Sequence, residues 1–232
     1  MNFAFLNEKV TTGENQVYLD WILSGAMHTA LISAAAFILA MVIGIAVGVL
    51  RTTGGRQGAL ATVYFESVRS VPFMAQLFIA FFAVPVVFFP EAVKTMNQNM
   101  LTIVAGTLGL AIFMSGRVSA QVYAGLQALP RSQKAAATAL GFNQVQTYSH
   151  FLLPQALRNI LPTLTSEAMN TVKNSAVIST IGLMELSAQA KSIIDYTAQP
   201  LEAFTCIIVG YLTINMAVLA MMKLIERITR RN

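Results

Sequence analysis

The sequence contains few of the residues that soluble enzymes use for catalysis. Of its 232 residues 11% are charged and 56% are hydrophobic, whereas a typical soluble domain is about one quarter charged. The single cysteine, Cys206, excludes an internal disulfide and a cysteine-rich zinc site. The two histidines, His28 and His150, lie far apart in the chain, and no Ser–His pair or metal cluster is visible. The sequence therefore predicts neither a catalytic centre nor a metal site.

A phosphate-binding loop, of the form GxxxxGK followed by Ser or Thr, is absent as well. The chain therefore has no route to ATP through that motif, and we expect no cofactor on it. The net charge of +5 could indicate a nucleic-acid partner. The excess of hydrophobic residues makes a lipid bilayer the simpler partner.

Long apolar runs dominate what the sequence does contain. A bilayer core is about 30 Å thick, so a spanning helix needs about 20 mainly apolar residues. Three runs meet this requirement clearly, and two further runs are more polar. The sequence therefore predicts an all-α integral membrane protein with a transmembrane domain over 22–224, whose five helices are 22–50, 59–89, 100–127, 160–184 and 203–224. The first twenty residues are polar and mixed in charge, so no cleavable signal peptide is expected.

The charges alternate between the two sets of loops that five spans create. These sets are 51–59, 128–158 and 223–232, and 1–21, 89–99 and 185–202. The first set holds nine Lys or Arg against one acid, and the second holds three against seven acids. Cytoplasmic loops favour Lys and Arg. We therefore expect an external N-terminal segment over 1–21 and a cytoplasmic tail over 225–232.

A pair of glycines in the first span, Gly44 and Gly48, forms a G-x-x-x-G pattern. Such a pair lets helix backbones approach closely. We expect it to pack inside the helix bundle.

The longest loop of the set rich in Lys and Arg, 128–158, contains the helix start and stop residues of a helical hairpin. Pro130 can open a short Ala-rich helix, and Gly141 can end it in a left-handed turn. Asn143 can cap a second helix, which we expect to finish before Pro154. The small residues between them present a low surface to a protein partner. The alternative is a hairpin that lies on the lipid surface.

The motifs of this loop resemble the signature loop of bacterial ABC-importer permeases. In "AAATALG" and "FLLP", seven residues match its spacing: Ala135, Ala136, Ala137, Gly141, Phe151, Leu153 and Pro154. Ala135 stands where the family often has Glu, and Phe151 where it often has Ile. The segments "ESVRSVPFMAQLF" and "VKNSAVISTIGLMEL" are similar to polar amino acid permeases, above all to those of glutamate/aspartate uptake systems.

This resemblance implies a type I ABC-importer (MetI-like) permease fold in a bacterial inner membrane. It implies a second, homologous permease subunit, two ATP-binding subunits that carry ATP and Mg²⁺, and a periplasmic amino-acid-binding protein. The matched loop residues would couple the permease to the ATP-binding subunits. The substrate would be a polar, and specifically an acidic, amino acid.

Five charged residues fall inside the predicted spans, where charge is costly and indicates function or internal pairing. They are Glu66, Arg69, Arg117, Glu167 and Lys173. By helical periodicity Glu167, Asn170, Thr171 and Asn174 share one face of the fourth span, which Lys173 borders. Such a face should line a water-filled path or contact a partner.

A substrate with two carboxylates needs compensating positive charge and hydrogen-bond donors. We therefore expect Arg117 and Lys173 to hold the carboxylates of an acidic amino acid. The remaining predicted pathway residues are Gln76, Gln121, Glu167, Asn170, Asn174 and Ser175. The alternative is that the two cations pair with Glu66 or Glu167 and only stabilise the bundle.

The spacing of Glu66 and Arg69, three residues apart, favours a local ion pair. A secondary transporter or channel is the main functional alternative for the whole chain. Such proteins often contain inverted repeats, and no convincing repeat is present here.

Overall fold

The computed structural model describes residues 3–10 and 16–231, and these ranges are almost entirely helical. The one bridge between extended residues there joins Lys9 to Val17. The all-α fold class is therefore confirmed for the described part of the chain. Glu14, counted above among the acidic residues of the first segment, lies outside it.

The α-helices of these ranges follow one another with short breaks. In chain order they are α1 (Tyr18–Thr52), α2 (Gly55–Ser70), α3 (Phe73–Phe78), α4 (Val84–Phe88), α5 (Pro90–Thr95), α6 (Gln98–Gln127), α7 (Arg131–Ala139), α8 (Gln144–Gln146), α9 (Leu153–Ser175), α10 (Leu186–Thr197) and α11 (Pro200–Arg231). Two π-helical turns, Ile79–Ala83 and Thr147–Leu152, and two 3₁₀ turns, Ala4–Asn7 and Ala176–Ile181, complete the helical segments.

The first, third and fifth predicted spans correspond to single helices. The span expected at 22–50 is α1, which begins at Tyr18 and ends at Thr52. The span expected at 100–127 is α6, and the span expected at 203–224 lies within the longer α11.

The second predicted span is not one helix, so the expectation of a single helix over 59–89 is wrong. α2 ends at Ser70, Val71 is extended (φ −101°, ψ 130°), and α3 begins at Phe73. Pro72 explains the break, because its ring disfavours helical backbone at the preceding residue and it has no N–H to donate.

The fourth predicted span also begins in a different place. We expected a helix over 160–184 and the end of the preceding helix before Pro154. Instead α8, the π turn Thr147–Leu152 and α9 follow without a break, and Pro154 is the second residue of α9. A proline is tolerated at the start of a helix, where its missing N–H leaves no bond unmade, so the helical run continues past it.

The residues group into two compact units. The first comprises Met1–Ala36, Phe73–Leu110 and Met169–Val218. At its centre Leu186, fully buried at the start of α10, lies against two glycines. A Cβ on Gly25 of α1 would come within 2.9 Å of the Leu186 Cα, and one on Gly210 of α11 within 2.6 Å of its Cδ2. Gly25 permits the close approach of the α10 backbone to α1, and Gly210 leaves room for the Leu186 side chain against α11.

A buried carboxyl group strengthens the same contact. Glu185 caps α10 and accepts hydrogen bonds from the Ala188 N–H at 2.9 Å, the Tyr211 hydroxyl at 2.7 Å and the Thr29 hydroxyl at 3.4 Å. Burial raises the pKa of the Glu185 carboxyl above its ordinary value, and these hydrogen bonds oppose that rise. A residue expected in an outer loop is thus fully buried and joins three helices.

The second unit comprises Phe37–Pro72, Ala111–Ala168 and Leu219–Asn232. Met114, Val118 and Val122 of α6 are fully buried in it. The two glycines of the G-x-x-x-G pair contact this row, because a Cβ on Gly44 would lie 2.6 Å from the Val118 Cβ and one on Gly48 2.7 Å from the Val122 Cβ. Their predicted packing role inside the bundle is confirmed.

Three helices of the described chain are long and apolar enough to cross a membrane: α1, α6 and α11. A fourth crossing results if α2 and the helices that follow it to Phe88, which form a sharply bent pair, count as one span. α9 is too polar to belong to this group. The count of five crossings therefore remains a prediction.

Adding one methyl group at Gly44 should destabilise the second unit. Gly44→Ala overpacks the contact with Val118, which typically costs about 1–3 kcal/mol, and should lower the thermal unfolding temperature of the purified protein. Ala46→Val, at an exposed position of the same helix, is the matched control and should change stability by less than about 0.5 kcal/mol. An unchanged unfolding temperature for Gly44→Ala would show that this contact is looser than described.

Candidate functional site

Arg117 and Glu167 form an ion pair within the second unit. Arg117 Nε on α6 donates to Glu167 Oε2 on α9 at 2.6 Å, and Arg117 Nη2 donates to Oε1 at 3.3 Å. The Glu167 side chain is 7% exposed and that of Arg117 is 44% exposed. A two-point contact of this kind is the strongest geometry for an arginine and a carboxylate. The pairing alternative predicted for Arg117 is therefore observed.

Gln121, one helical turn beyond Arg117, completes the coordination of the carboxylate. Its Nε2 donates to Glu167 Oε1 at 3.3 Å. Burying a carboxylate is costly unless it is paired and hydrogen-bonded, and Glu167 meets both conditions. Three of the predicted pathway residues thus form one connected group.

This group opens onto a cavity of about 240 Å³ between α2, α6 and α9. The cavity is smaller than the pockets that hold drug-sized ligands, roughly 300–1,000 Å³, and so suits a small molecule. Its walls are formed by Phe65, Val68, Arg69, Phe113, Gly116, Arg117, Ala120, Gln121 and Glu167. Gly116 keeps α6 close to α2, because a Cβ there would lie 3.0 Å from the Val68 Cγ1.

The local ion pair expected between Glu66 and Arg69 is not formed. Both side chains are exposed, and neither takes part in an ion pair among the described residues. The Arg69 guanidinium instead lies over the ring of Phe65, with 5.9 Å between Cζ and the ring centroid. Phe65 is four residues earlier on α2, so it shares a face with Arg69 and offers an attractive ring.

The other predicted pathway residues lie in the first unit. Asn174 Nδ2 donates to the Asn170 carbonyl, and the Ser175 hydroxyl donates to the Val172 carbonyl, both at 2.8 Å. Ser175 is fully buried, and Asn170 and Asn174 are half-buried. Asn174 and Ser175 therefore turn their polar groups onto the backbone of α9 itself.

Lys173 and Gln76 also lie in the first unit. Lys173 is exposed and has no ion pair among the described residues, so the pairing alternative does not hold for it there. Gln76 is half-buried in α3. The predicted pathway residues are thus divided between the two units: a connected group around Glu167 lies in the second unit, and the remaining residues lie in the first.

Two aromatic residues of the cavity wall, Phe65 and Phe113, were not among the predicted site residues. Aromatic residues are common in apolar helices, so their position in the sequence carries no signal of a cavity. The spacing of Phe65 and Arg69 was the one available indication, because residues four apart on a helix are neighbours.

The loop 128–158 folds into the predicted turn. α7 ends at Ala139, and the left-handed residue that follows is Gly141, with φ +84°. The Gly141 N–H donates to the Thr138 carbonyl, and the Phe142 N–H donates to the Ala137 carbonyl. This pattern is a Schellman motif, which requires a left-handed residue at the position of Gly141. Asn143 then begins α8 in a capping box with Gln146.

The surface of this turn is unusually apolar for an exposed segment. Leu140 and Val145 are each 76% exposed, on either side of the turn. Ala135 and Ala136 are exposed, whereas Ala137 is buried. Of the other matched residues, Leu153 is half-buried, Pro154 is exposed and Phe151 is 43% exposed. Exposed apolar side chains beside small residues are typical of a surface that another protein covers.

Within residues 3–10 and 16–231 no three His, Cys, Asp or Glu side chains come together as metal ligands. The features of this part of the chain are those of a helical membrane transport subunit: long apolar helices, one buried ion pair beside a small cavity, and an exposed apolar turn.

The comparison with protein families identifies the class. Residues 40–231 match the family described as the binding-protein-dependent transport system inner membrane component. The chain belongs to this family of membrane permeases, which confirms the resemblance inferred from its motifs.

Two relatives are similar over nearly the whole chain. The glutamate/aspartate import permease protein GltJ of Escherichia coli (strain K12) is 41% identical over 222 residues, which cover 93% of this chain and 90% of GltJ. The probable glutamine ABC transporter permease protein GlnM of Bacillus subtilis (strain 168) is 28% identical, over 90% of this chain and 91% of GlnM.

Solved structures share the fold. An amino acid ABC transporter crystallised with histidines is similar with a TM-score of 0.74 and 27% identity, over 90% of this chain and 94% of that one. The inward-facing MetNI methionine ABC transporter has a TM-score of 0.75 over 91% and 97% of the two chains, at 19% identity. The MetI-like permease fold is therefore shown.

Proposed function

We propose that this chain is a permease subunit of an ABC importer that moves acidic amino acids, glutamate and aspartate, into the cytoplasm. The observation that carries this proposal is the cavity beside the Arg117–Glu167 pair. Arg69 and Arg117 line it together with one carboxylate, Glu167. The lining therefore has a net charge of +1, which complements the net charge of −1 on glutamate or aspartate.

Transport of a neutral polar amino acid such as glutamine is the second candidate, because permeases named for glutamine are also similar to this chain. A neutral zwitterion would leave the net charge of +1 in the cavity lining unbalanced. Charge balance therefore favours the acidic substrate, as does the higher identity to GltJ.

The ion pair offers a way to bind an amino acid without adding charge to the membrane interior. The substrate ammonium can take the place of Arg117 on the Glu167 carboxylate. The guanidinium is then free to bind the α-carboxylate at two points, and Gln121 supplies a further donor. One internal ion pair is exchanged for two pairs with the substrate, so every buried charge keeps a partner.

Removing the positive charge at position 117 should abolish most of the transport. In proteoliposomes that hold the assembled transporter, Arg117→Gln should reduce ATP-driven glutamate uptake about 10- to 100-fold, because a charge-assisted contact with the carboxylate is lost. Lys173→Gln should reduce uptake less, about threefold, because Lys173 lies outside this cavity. Labelled glutamate and co-purification of the ATP-binding subunits give the two measurements.

Lys94→Gln is the matched control, since Lys94 pairs only with Glu91 on an exposed helix. It should leave uptake within twofold of the wild type. Near-normal uptake by both Arg117→Gln and Lys173→Gln, in correctly assembled complexes, would refute a role for these residues in the pathway.

The proposal includes the partners that the resemblance implied. ATP and Mg²⁺ would bind to two separate ATP-binding subunits, and a periplasmic protein would deliver the amino acid. The second permease subunit would be homologous but not identical to this one. The similar solved structures of amino acid and methionine ABC transporters support an assembly of this kind.

We also propose five crossings, with the N-terminus outside and the C-terminus in the cytoplasm of the inner membrane. The alternation of basic and acidic loops supports this orientation. In this topology α9 is the fourth crossing, and its polar side chains are shielded by neighbouring helices or by the partner permease.

Cysteine labelling should establish the orientation. In a Cys206→Ala background, a membrane-impermeant maleimide added to intact cells should label Asp195→Cys on α10 but not Gln144→Cys on α8, both exposed positions. Permeabilised cells should show labelling at both. Labelling of Gln144→Cys from outside would invert the topology and separate this loop from the ATP-binding subunits.

The turn around Gly141 is proposed to couple the permease to the ATP-binding subunits. Its support is the exposed apolar pair Leu140 and Val145 beside the small surface of Ala135 and Ala136. A partner that covers these side chains would gain roughly 25 cal/mol for each Å² of apolar surface removed from water.

Replacing Gly141 should uncouple transport from ATP hydrolysis. Gly141→Val forces a branched residue into the left-handed region, at a cost of roughly 1–2 kcal/mol, and should reduce ATPase stimulation by loaded binding protein at least fivefold. Gly141→Asn is the control, because Asn tolerates this conformation, and should retain most of the stimulation. Full stimulation and transport by Gly141→Val would remove the case for this turn.

A further inference from the structure

A third arginine, besides Arg69 and Arg117, contacts the cavity wall through Phe65, and no predicted role accounts for it. Arg51, in the last turn of α1, is half-buried in the second unit. Its Cζ lies 3.6 Å from the centroid of the Phe65 ring and 4.5 Å from that of Tyr123. Rings attract a cation through their faces. These contacts hold the guanidinium beside Phe65, a residue that lines the cavity.

The N–H groups of Arg51 are poorly satisfied. Nη1 donates to the Ser119 hydroxyl at 3.5 Å, the limit of a hydrogen bond. Nε is buried and has no hydrogen-bond partner among the described residues. No carboxylate lies within 4 Å of Arg51 in that part of the chain. The charge of Glu66 acts on Arg51 from farther away. This half-buried cation therefore has no carboxylate in direct contact, and an anion from outside the chain would stabilise it.

Arg69 shares the ring of Phe65 with Arg51. Its Cζ lies 5.9 Å from the same centroid, so the two guanidinium carbons are no farther apart than the sum of the two distances to the ring. Like Arg51, Arg69 has no ion pair in residues 3–10 and 16–231. Both Phe65 and Arg69 line the cavity beside Arg117. Two arginines without an ion pair among the described residues therefore lie near the same ring, that of Phe65, which lines the candidate substrate site.

Helix electrostatics explain part of this arrangement but not all of it. Arg51 and Arg69 each lie in the last turn of a helix, where a cation is favourable. A cation whose side chain extends into water near the helix end would gain the same interaction with the helix dipole. This interaction gives no reason for Arg51 to stack on two rings with a buried, unpartnered Nε.

We propose that Arg51 and Arg69, arranged about Phe65, form a clamp for the side-chain carboxylate of an acidic amino acid. The inference rests on the proposed function and deepens it. Arg117 and Glu167 recognise the α-carboxylate and α-ammonium groups that all amino acids share. The clamp recognises the one group that distinguishes glutamate from glutamine, so it determines the specificity of the permease.

Binding of two isosteric ligands separates this role from a structural one. The assembled transporter, purified without the binding protein, is titrated with labelled L-glutamate and with labelled L-glutamine. Arg51→Gln should weaken glutamate binding about tenfold or more, because a charge-assisted contact is lost. It should leave glutamine binding within twofold. Arg51→Lys, which keeps the charge but loses the planar fork, should weaken glutamate binding about threefold.

Three further variants test the geometry. Arg69→Gln should reproduce the selective loss, and the double variant with Arg51→Gln should lose less than the two losses combined, because both cations hold one carboxylate. Arg117→Gln should weaken both ligands together. Arg56→Gln, at an exposed position in the first turn of α2, is the matched control and should change neither.

The outcomes distinguish the two levels of the proposal. Equal weakening of glutamate and glutamine by Arg51→Gln, or no weakening of either, overturns the clamp while acidic amino acid transport stands. Absence of saturable glutamate binding by the wild-type transporter overturns the proposed function and the clamp together. Co-purification of the ATP-binding subunits with each variant excludes misfolding as the cause of a loss.

Discussion

A buried carboxylate needs a partner, and this requirement organises the contact between α6 and α9. Water is not there to stabilise an isolated carboxylate, so Glu167 is held by Arg117 at two points and by Gln121 at a third. Those bonds join α6 to α9. In the proposed mechanism, the substrate amino acid binds at this pair by exchange.

Close backbone approach provides the rigid frame around that pair. Gly44 and Gly48 allow α1 to lie against Val118 and Val122, and Gly116 allows α6 to lie against Val68 of α2. In hydrocarbon the association of helices depends on packing and hydrogen bonds, since lipid tails are as apolar as leucine. The glycines therefore act by having no side chain, which leaves room for the valines of the facing helix. A side chain at any of these positions would separate the helices and change the cavity between them.

Polar groups on α9 show how one sequence pattern can have two outcomes. Helical periodicity placed Glu167, Asn170 and Asn174 on one face, and that placement follows from the geometry of any helix. Their partners do not follow from it. Glu167 binds a side chain of another helix, whereas Asn174 donates to a carbonyl of its own helix. A backbone carbonyl one turn earlier is always within reach of a side chain on a helix. An arginine on another helix comes within reach only when the tertiary fold brings the two helices together.

The amino-acid sequence alone determined where α1, α6 and α11 run, because long apolar segments must satisfy their backbone groups internally and so become helices. It also determined the turn at Gly141, whose spacing to Asn143 is a local signal. The break at Pro72 also has a local cause, the proline ring. Only the tertiary structure decided whether the helix continues through Pro154 and which partner each buried charge has. Arg69 illustrates the difference. Its spacing permits an ion pair with Glu66 or a contact with the ring of Phe65 on the same helix. The cavity beside that ring is formed by three helices, and no local pattern specifies how three helices meet.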